Sequence, residues 1–173
     1  MKDSVTIEPT VFVVWGPLMV GGTFYVLNGY LPIWVIIASV PYAVVVTTVL
    51  LGKHIDKLEY DRNIGVKTLP VLLGERVTRL LLRGLIAIAY FAVVALVLAK
   101  ILPIWSLLSL LALPRASQLF RVLSLPRPKE SPEGYQSRPI WFLGYVFSHN
   151  RRFGALYIAG LITGVFLPFY VGL

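Results

Sequence analysis

Long apolar runs alternate with short breaks and long polar segments along the chain. The runs cover residues 10–27, 31–51, 77–99, 104–123 and 153–171. Each is close to the roughly 20 residues that cross a hydrocarbon core of about 30 Å. Their pattern predicts an all-α integral membrane protein with about five transmembrane helices, forming a single membrane domain over residues 1–173. Residues 31–51 carry no charge at all. Asn28-Gly29 turns the chain between the first two spans, and residues 100–103 form a tight break between the third and fourth. Residues 52–76 and 125–152 are long and polar by comparison. Within the second of these, residues 140–147 are apolar but too few to cross, which predicts a short helix lying along the interface.

Composition sharpens the picture. The chain is 57% hydrophobic and 14% charged, against about 25% charged in an average soluble domain. It has no cysteine, so thiolate metal sites and disulfides are excluded. The net charge of +8 sits between apolar spans, unlike the continuous basic face of a nucleic-acid binder, and no nucleic-acid partner is expected. Residues 1–9 are polar and hold Asp3 and Glu8, which does not match a cleavable signal peptide. Every Lys and Arg except Lys100 lies in residues 1–9, 52–76 and 125–152 or on adjoining helix ends bearing Arg79, Arg83, Arg115 and Arg121. The positive-inside rule then places the N-terminus and the 52–76 segment in the cytoplasm and the spans in the cytoplasmic membrane.

Residues 53–70 are the densest polar segment. Asp56, Glu59 and Asp61 lie among Lys53, Lys57, Arg62 and Lys67. Carboxylates at the mouth of an apolar bundle suit a hard divalent cation that keeps phosphate oxygens in its shell, and neighbouring Lys and Arg suit those same oxygens. If the segment continues the preceding helix, Asp56 and Glu59 share one face and Lys57 and Asp61 a neighbouring one. Charged residues marking a membrane exit, with Lys57–Asp61 as a surface pair worth a few tenths of a kcal/mol, are the plainer alternative. On spacing alone the two readings stand level.

Residues 61–74, Asp61-Arg62-Asn63-Ile64-Gly65-Val66-Lys67-Thr68-Leu69-Pro70-Val71-Leu72-Leu73-Gly74, resemble the second aspartate-rich motif of the UbiA-type intramembrane prenyltransferases, D-x-x-x-D-R-x-x-G-x-K/R-T/S followed by a leucine-rich stretch. The helix bearing Gly16-Pro17-Leu18-Met19-Val20-Gly21-Gly22-Thr23-Phe24-Tyr25 also resembles the one before that motif. Two departures accompany the likeness. Lys57 stands where the family has its first aspartate, leaving Asp56 and Glu59 as offset replacements. The family's earlier N-x-x-x-D-x-x-x-D motif is absent, since Asp3 is the only aspartate before Asp56. The resemblance therefore implies the C-terminal half of a nine-helix bundle, incomplete without an N-terminal half that a separate chain can supply.

The resemblance implies transfer of a polyprenyl group from its diphosphate to a hydrophobic aromatic or lipid acceptor, in quinone or lipid biosynthesis, with Mg²⁺. Asp61 and one of Asp56 or Glu59 would hold the metal and act in catalysis. Lys67 and Arg62 would contact the diphosphate, with Lys53 a weaker candidate. Tyr60 would line the chamber or anchor at the interface. A non-catalytic membrane protein binding polyprenyl or anionic lipids is the competing reading, favoured by Lys57 and the missing first motif.

Other features carry less. Gly65-Val66-Lys67-Thr68 lacks the spaced glycines and preceding strand of a phosphate-binding loop. His149-Asn150-Arg151-Arg152 reads as the basic flank of the last span before it reads as an anion grip. Arg115 either points into the chamber or snorkels to the interface. Gly160-x-x-x-Gly164 is a helix-packing signal. His54 has no histidine or cysteine partner in the pattern, so no zinc is assigned to it. Trp141, Tyr145 and Tyr157 read as packing or interfacial aromatics.

Overall fold

The computed structural model describes residues 7–126 and 141–170, and every regular element among them is helical. Helix α1 (Ile7–Val13), a π-helical stretch (Val14–Gly21) and α2 (Gly22–Asn28) run on from one another. The widened π stretch contains Pro17. A proline ring inside a helix clashes with the preceding turn and removes an N–H, and a π-bulge is one way the ladder absorbs that. Helices α3 (Ile33–Asp56) and α6 (Glu75–Leu98) follow, with the short α4 (Leu58–Asn63) and α5 (Leu69–Leu73) between them. Among the described residues, three helices are long and apolar enough to cross a membrane: Glu8–Asn28, Ile33–Asp56 and Glu75–Leu98.

The fourth and fifth expected spans take a different form. The fourth is a nine-residue 3₁₀ stretch (Ile104–Ala112) leading into the ten-residue α7 (Leu113–Val122). Pro114 sits in the first turn of α7, where its missing N–H costs nothing. The expected interfacial helix and fifth span are one element, α8 (Phe142–Phe166), 25 residues long. The separate interfacial helix over 140–147 is therefore corrected, with residue 140 itself outside the described residues. The basic run His149–Arg152, read as a flank, lies inside α8 because His149 and Phe153 are buried and hold that turn against α6. Leu167 leaves the helix at φ −128°, ψ 80°, as the residue before a proline is driven to do by Pro168.

Helix α3 lies at the centre, packed against the π stretch, α6 and α8. Its Val45, Leu51 and Ile55 are buried with Leu82, Ile86 and Val93 of α6, Leu119 of α7, and Phe142 and Phe153 of α8. Outward residues such as Val26, Phe91 and Phe166 are large, apolar and exposed, as lipid-facing helices require. Tyr157 donates to the carbonyl of Ala38 at 2.7 Å, tying α8 to α3.

Gly160 and Gly164 let α8 touch the chain at the start of the 3₁₀ stretch. A Cβ at Gly160 would meet the Trp105 carbonyl oxygen at 2.3 Å, and one at Gly164 the Pro103 ring at 2.4 Å. The small-residue spacing is a packing surface, as read. The same end is pinned by Trp105 Nε1 donating to the Leu167 carbonyl (2.8 Å) and the Ile104 N–H donating to Phe169 (3.0 Å). At the opposite end, Arg79 donates to the carbonyls of Leu123 (3.1 Å) and Leu125 (2.7 Å). Arg83 donates to Phe120 O (3.1 Å) and Ser124 Oγ (2.7 Å). These two cations satisfy carbonyls left over at the α7 C-terminus and oppose its dipole.

Candidate functional site

The polar segment folds into the end of α3, the two short helices and the turns between them. It does not continue α3 as one helix. Lys57 adopts φ −100°, ψ 7° and breaks the run after Asp56. Asp56 and Glu59 thus stand on different helices, and the shared face expected for them does not form. Below α4 the chain reverses through Gly65 at φ +72°, a left-handed conformation that glycine adopts without steric cost. The Val66 N–H then donates to the Asp61 carbonyl at 2.9 Å. Thr68, extended at φ −85°, ψ 163°, leads into α5.

Each acid of the segment has its own environment. Both carboxylate oxygens of Asp56 accept backbone N–H groups at the start of α8, Oδ1 from Phe142 at 3.1 Å and Oδ2 from Leu143 at 2.8 Å. That is helix capping by an anion across 86 residues of sequence, with the dipole adding to the hydrogen bonds. Glu59 is exposed. Asp61 is 6% exposed, and none of the described residues donates a hydrogen bond to its carboxylate. Thr68 is likewise buried, and its hydroxyl has no partner among the described residues. Among the described residues, no group of three or more His, Cys, Asp or Glu side chains converges as a metal cage. Asp56, Glu59 and Asp61 therefore do not form one ligand cluster. A single carboxylate is still compatible with Mg²⁺, since that ion is usually bound by one or two carboxylates with phosphate oxygens and water completing the shell.

The cations spread around these acids. Lys53, Lys57, Arg62 and Lys67 are all exposed. Lys57 lies 6.0 Å from the ring centre of the exposed Tyr60 rather than paired with Asp61; burial of Asp61 takes its carboxylate away from the surface where Lys57 sits. Lys53 lines an apolar groove of about 780 Å³ between α1, α3 and α8, together with Trp15, Tyr42, Leu50, Phe147 and Asn150.

Two buried polar pairs were not expected from the sequence. Glu8 Oε1 meets His54 Nδ1 at 2.9 Å, with the residues 4% and 7% exposed. His54 thus has an acidic partner, contrary to its reading as a solitary side chain. The signal was a single carboxylate at the head of an apolar span. The Tyr90 hydroxyl and His149 Nε2 share a hydrogen bond of 2.9 Å between α6 and α8. No motif marks that pair, because it depends on helix register.

Comparison with known proteins bears on this arrangement. The model of the UbiA prenyltransferase family matches residues 2–143. A 1,4-dihydroxy-2-naphthoate octaprenyltransferase of Bacillus subtilis (strain 168) is 29% identical over 157 residues, covering 87% of this chain and 46% of that protein. UbiA prenyltransferase domain-containing protein 1 of Mus musculus is 30% identical over 111 residues, covering 64% of this chain and 32% of that protein. The chain spans less than half the length of these curated relatives. No solved structure matches it significantly.

Proposed function

The chain belongs to the UbiA prenyltransferase family, and from that premise we propose that it forms part of a membrane prenyltransferase. The reaction proposed is transfer of a polyprenyl group from its diphosphate to a hydrophobic aromatic or lipid acceptor in quinone or lipid biosynthesis. Its helices would correspond to the C-terminal part of a nine-helix bundle, with the polar segment at the cytoplasmic end. The matched stretch covers only 46% and 32% of the relatives, and turnover is proposed to draw on the remainder of such a protein, on the same or a separate chain.

One observation carries the reading: Asp61, in the family-like motif, is buried with no described donor to its carboxylate. A largely covered carboxylate with no described donor keeps its coordination positions open to a cation. Asp61 would hold a divalent cation, which would supply the Lewis acidity that lets diphosphate leave. Arg62 and Lys67 are placed on the same segment to take the diphosphate oxygens. Glu59 is the reserve ligand, since Asp56 already caps α8. In the transfer itself the allylic C–O bond breaks with its electron pair going to diphosphate. An electron pair of the acceptor then forms the new bond, and the acceptor loses a proton.

The alternative, a non-catalytic membrane protein that binds polyprenyl or anionic lipids, is favoured by Asp56, whose two oxygens are committed to the α8 N-terminus. The deciding experiment supplies labelled polyprenyl diphosphate, Mg²⁺ and 1,4-dihydroxy-2-naphthoate, the acceptor named for the Bacillus relative, to membranes containing the protein. Prenylated product that disappears in Asp61→Asn supports the transferase. Full turnover by Asp61→Asn removes Asp61 from the mechanism. Lipid binding without product, even with the first aspartate motif supplied on a second chain, supports the alternative.

A further inference from the structure

A second basic concavity lies apart from the polar segment. Arg115 of α7 and Arg151 and Arg152 of α8 line one pocket of about 580 Å³, with Phe147, Ser148 and Gly144 completing its wall. Among the described residues, none of 53–70 and no carboxylate lines it. Arg115 donates to Gln118 Oε1 at 3.0 Å, which leaves its charge uncompensated. Neither Arg151 nor Arg152 makes an ion pair with a described residue. Three guanidinium groups around one concavity repel one another, and no described residue supplies the countercharge.

Depth identifies the source of that countercharge. The Asp56–α8 contact places the start of α8 level with the end of α3. From Phe142, Arg151 and Arg152 lie roughly 14 Å along the helix at 1.5 Å per residue. Arg115 lies about 10 Å before the end of α7, on the same scale, and the α7 end is the one fixed by Arg79 and Arg83. All three arginines therefore lie on one level, beside exposed apolar residues such as Phe147 and where the apolar run from Phe153 begins, the level at which a span meets the headgroups. A guanidinium fork matches phosphate oxygens in two-point contacts. Gly144 and Phe147 also line the apolar groove, so the arginine pocket opens onto a surface that suits a hydrocarbon chain.

We propose that Arg115, Arg151 and Arg152 form a binding site for the phosphate headgroup of an anionic membrane phospholipid, with an acyl chain lying past Phe147 into the adjoining groove. The arginine pocket itself shares no described residue with the aspartate-bearing segment, so headgroup binding stands apart from the transferase reading, whereas the groove beyond Phe147 also reaches Lys53. Its ligand is recognised as a phosphate diester carried on an apolar tail.

The test titrates the full chain in neutral detergent with phosphatidylglycerol, phosphatidylcholine, inorganic diphosphate and polyprenyl diphosphate, and counts bound molecules by native mass spectrometry. Phosphatidylglycerol should bind at least tenfold more tightly than phosphatidylcholine. The variant R115Q/R151Q/R152Q should lose that preference, while the corresponding triple lysine variant should keep part of it, because lysine keeps the charge without the fork. Circular dichroism and thermal unfolding report whether the glutamine variant folds. If it does not, the salt dependence of the unaltered protein decides, since a headgroup contact must weaken as salt rises. Equal phosphatidylglycerol binding by the unaltered and glutamine proteins, or binding indifferent to salt, overturns the proposal. Occupancy by inorganic diphosphate without lipid makes it an aqueous anion site, and competitive displacement by polyprenyl diphosphate makes it a substrate site; either overturns the lipid assignment. None of these readouts depends on turnover.

Discussion

Nδ1 of His54 lies 2.9 Å from Oε1 of Glu8, joining the first turn of the chain's opening helix to the last turns of α3. Both residues are buried, and the second oxygen of Glu8 has no partner among the described residues. The contact fixes the point at which α3 hands over to the aspartate-bearing segment, so it orients the site without belonging to it. Glu8→Ala should lower stability by about 1–3 kcal/mol, the cost of leaving a buried polar partner unsatisfied. The double variant Glu8→Ala/His54→Leu should lose less than the two single losses added together. Thermal unfolding of all four proteins in detergent gives the coupling; strict additivity would mean that the pair does not interact.

Asp56 presents a sharper conflict of roles. Its oxygens hold the N–H groups of Phe142 and Leu143, so the residue connects the polar segment to α8. Asp56→Ala should cost about 0.5–2 kcal/mol, as lost N-caps do, and the loss should be local. Hydrogen exchange should quicken in the first turn of α8 and stay unchanged in α6. Asp56→Asn, which still accepts hydrogen bonds but loses the charge facing the helix dipole, should fall between. Uniform loss of protection across α6 and α8 would contradict a capping role.

Tyr90 and His149 form a buried polar bond in an otherwise apolar interface, with Nδ1 of His149 unpartnered among the described residues. Tyr90→Phe should destabilise by about 1–3 kcal/mol, because it orphans Nε2 of the imidazole as well. The double variant Tyr90→Phe/His149→Leu should recover most of that loss, since removing both partners leaves nothing unsatisfied. Denaturation midpoints decide it. A double variant as weak as the sum of its parts would mean that ring packing with Phe153, 5.3 Å from Tyr90, outweighs the hydrogen bond.

What the sequence revealed and what it hid divide along local and non-local lines. The helices over residues 10–27, 31–51 and 77–99 were legible because an apolar run of membrane length is a local signal. The packing role of Gly160 and Gly164 was legible for the same reason. The continuity of α8 was not, because Arg151 and Arg152 look like a membrane boundary until a buried His149 and a capping Asp56 hold the helix together through them. In the candidate site, the family-like motif pointed to Asp61 but gave no sign of which acids would already have partners. The partners of Asp56 and Glu8 lie 86 and 46 residues away, and no periodicity encodes such distances. Arg115 joined Arg151 and Arg152 by the same kind of long-range placement.

Glycine positions separate packing from propensity. At Gly160 an added Cβ would lie 2.3 Å from the Trp105 carbonyl, whereas at Gly84 it would meet nothing within 4 Å. Gly160→Ala should therefore force α8 away from the 3₁₀ stretch and cost about 1–3 kcal/mol, as overpacking does. Gly84→Ala, inside α6, should stabilise by roughly 0.5–1 kcal/mol through helix propensity alone. Opposite shifts in melting temperature are the expected outcome. A neutral Gly160→Ala would mean that the close approach at Trp105 is not a required contact.

Asp61 should show stability and function moving in opposite directions. The carboxylate of Asp61, a residue 6% exposed, receives no hydrogen bond from the described residues, so its charge adds little to the stability of the ligand-free protein. Asp61→Asn keeps the shape and removes the charge, so thermal stability without Mg²⁺ should hold or rise. Added Mg²⁺ and diphosphate should raise the melting temperature of the unaltered protein by mass action and leave the Asn variant unmoved. Prenyl transfer should be lost in the variant at the same time. A purely structural Asp61 would give the reverse, with Asp61→Asn less stable and the ligand-induced shift intact.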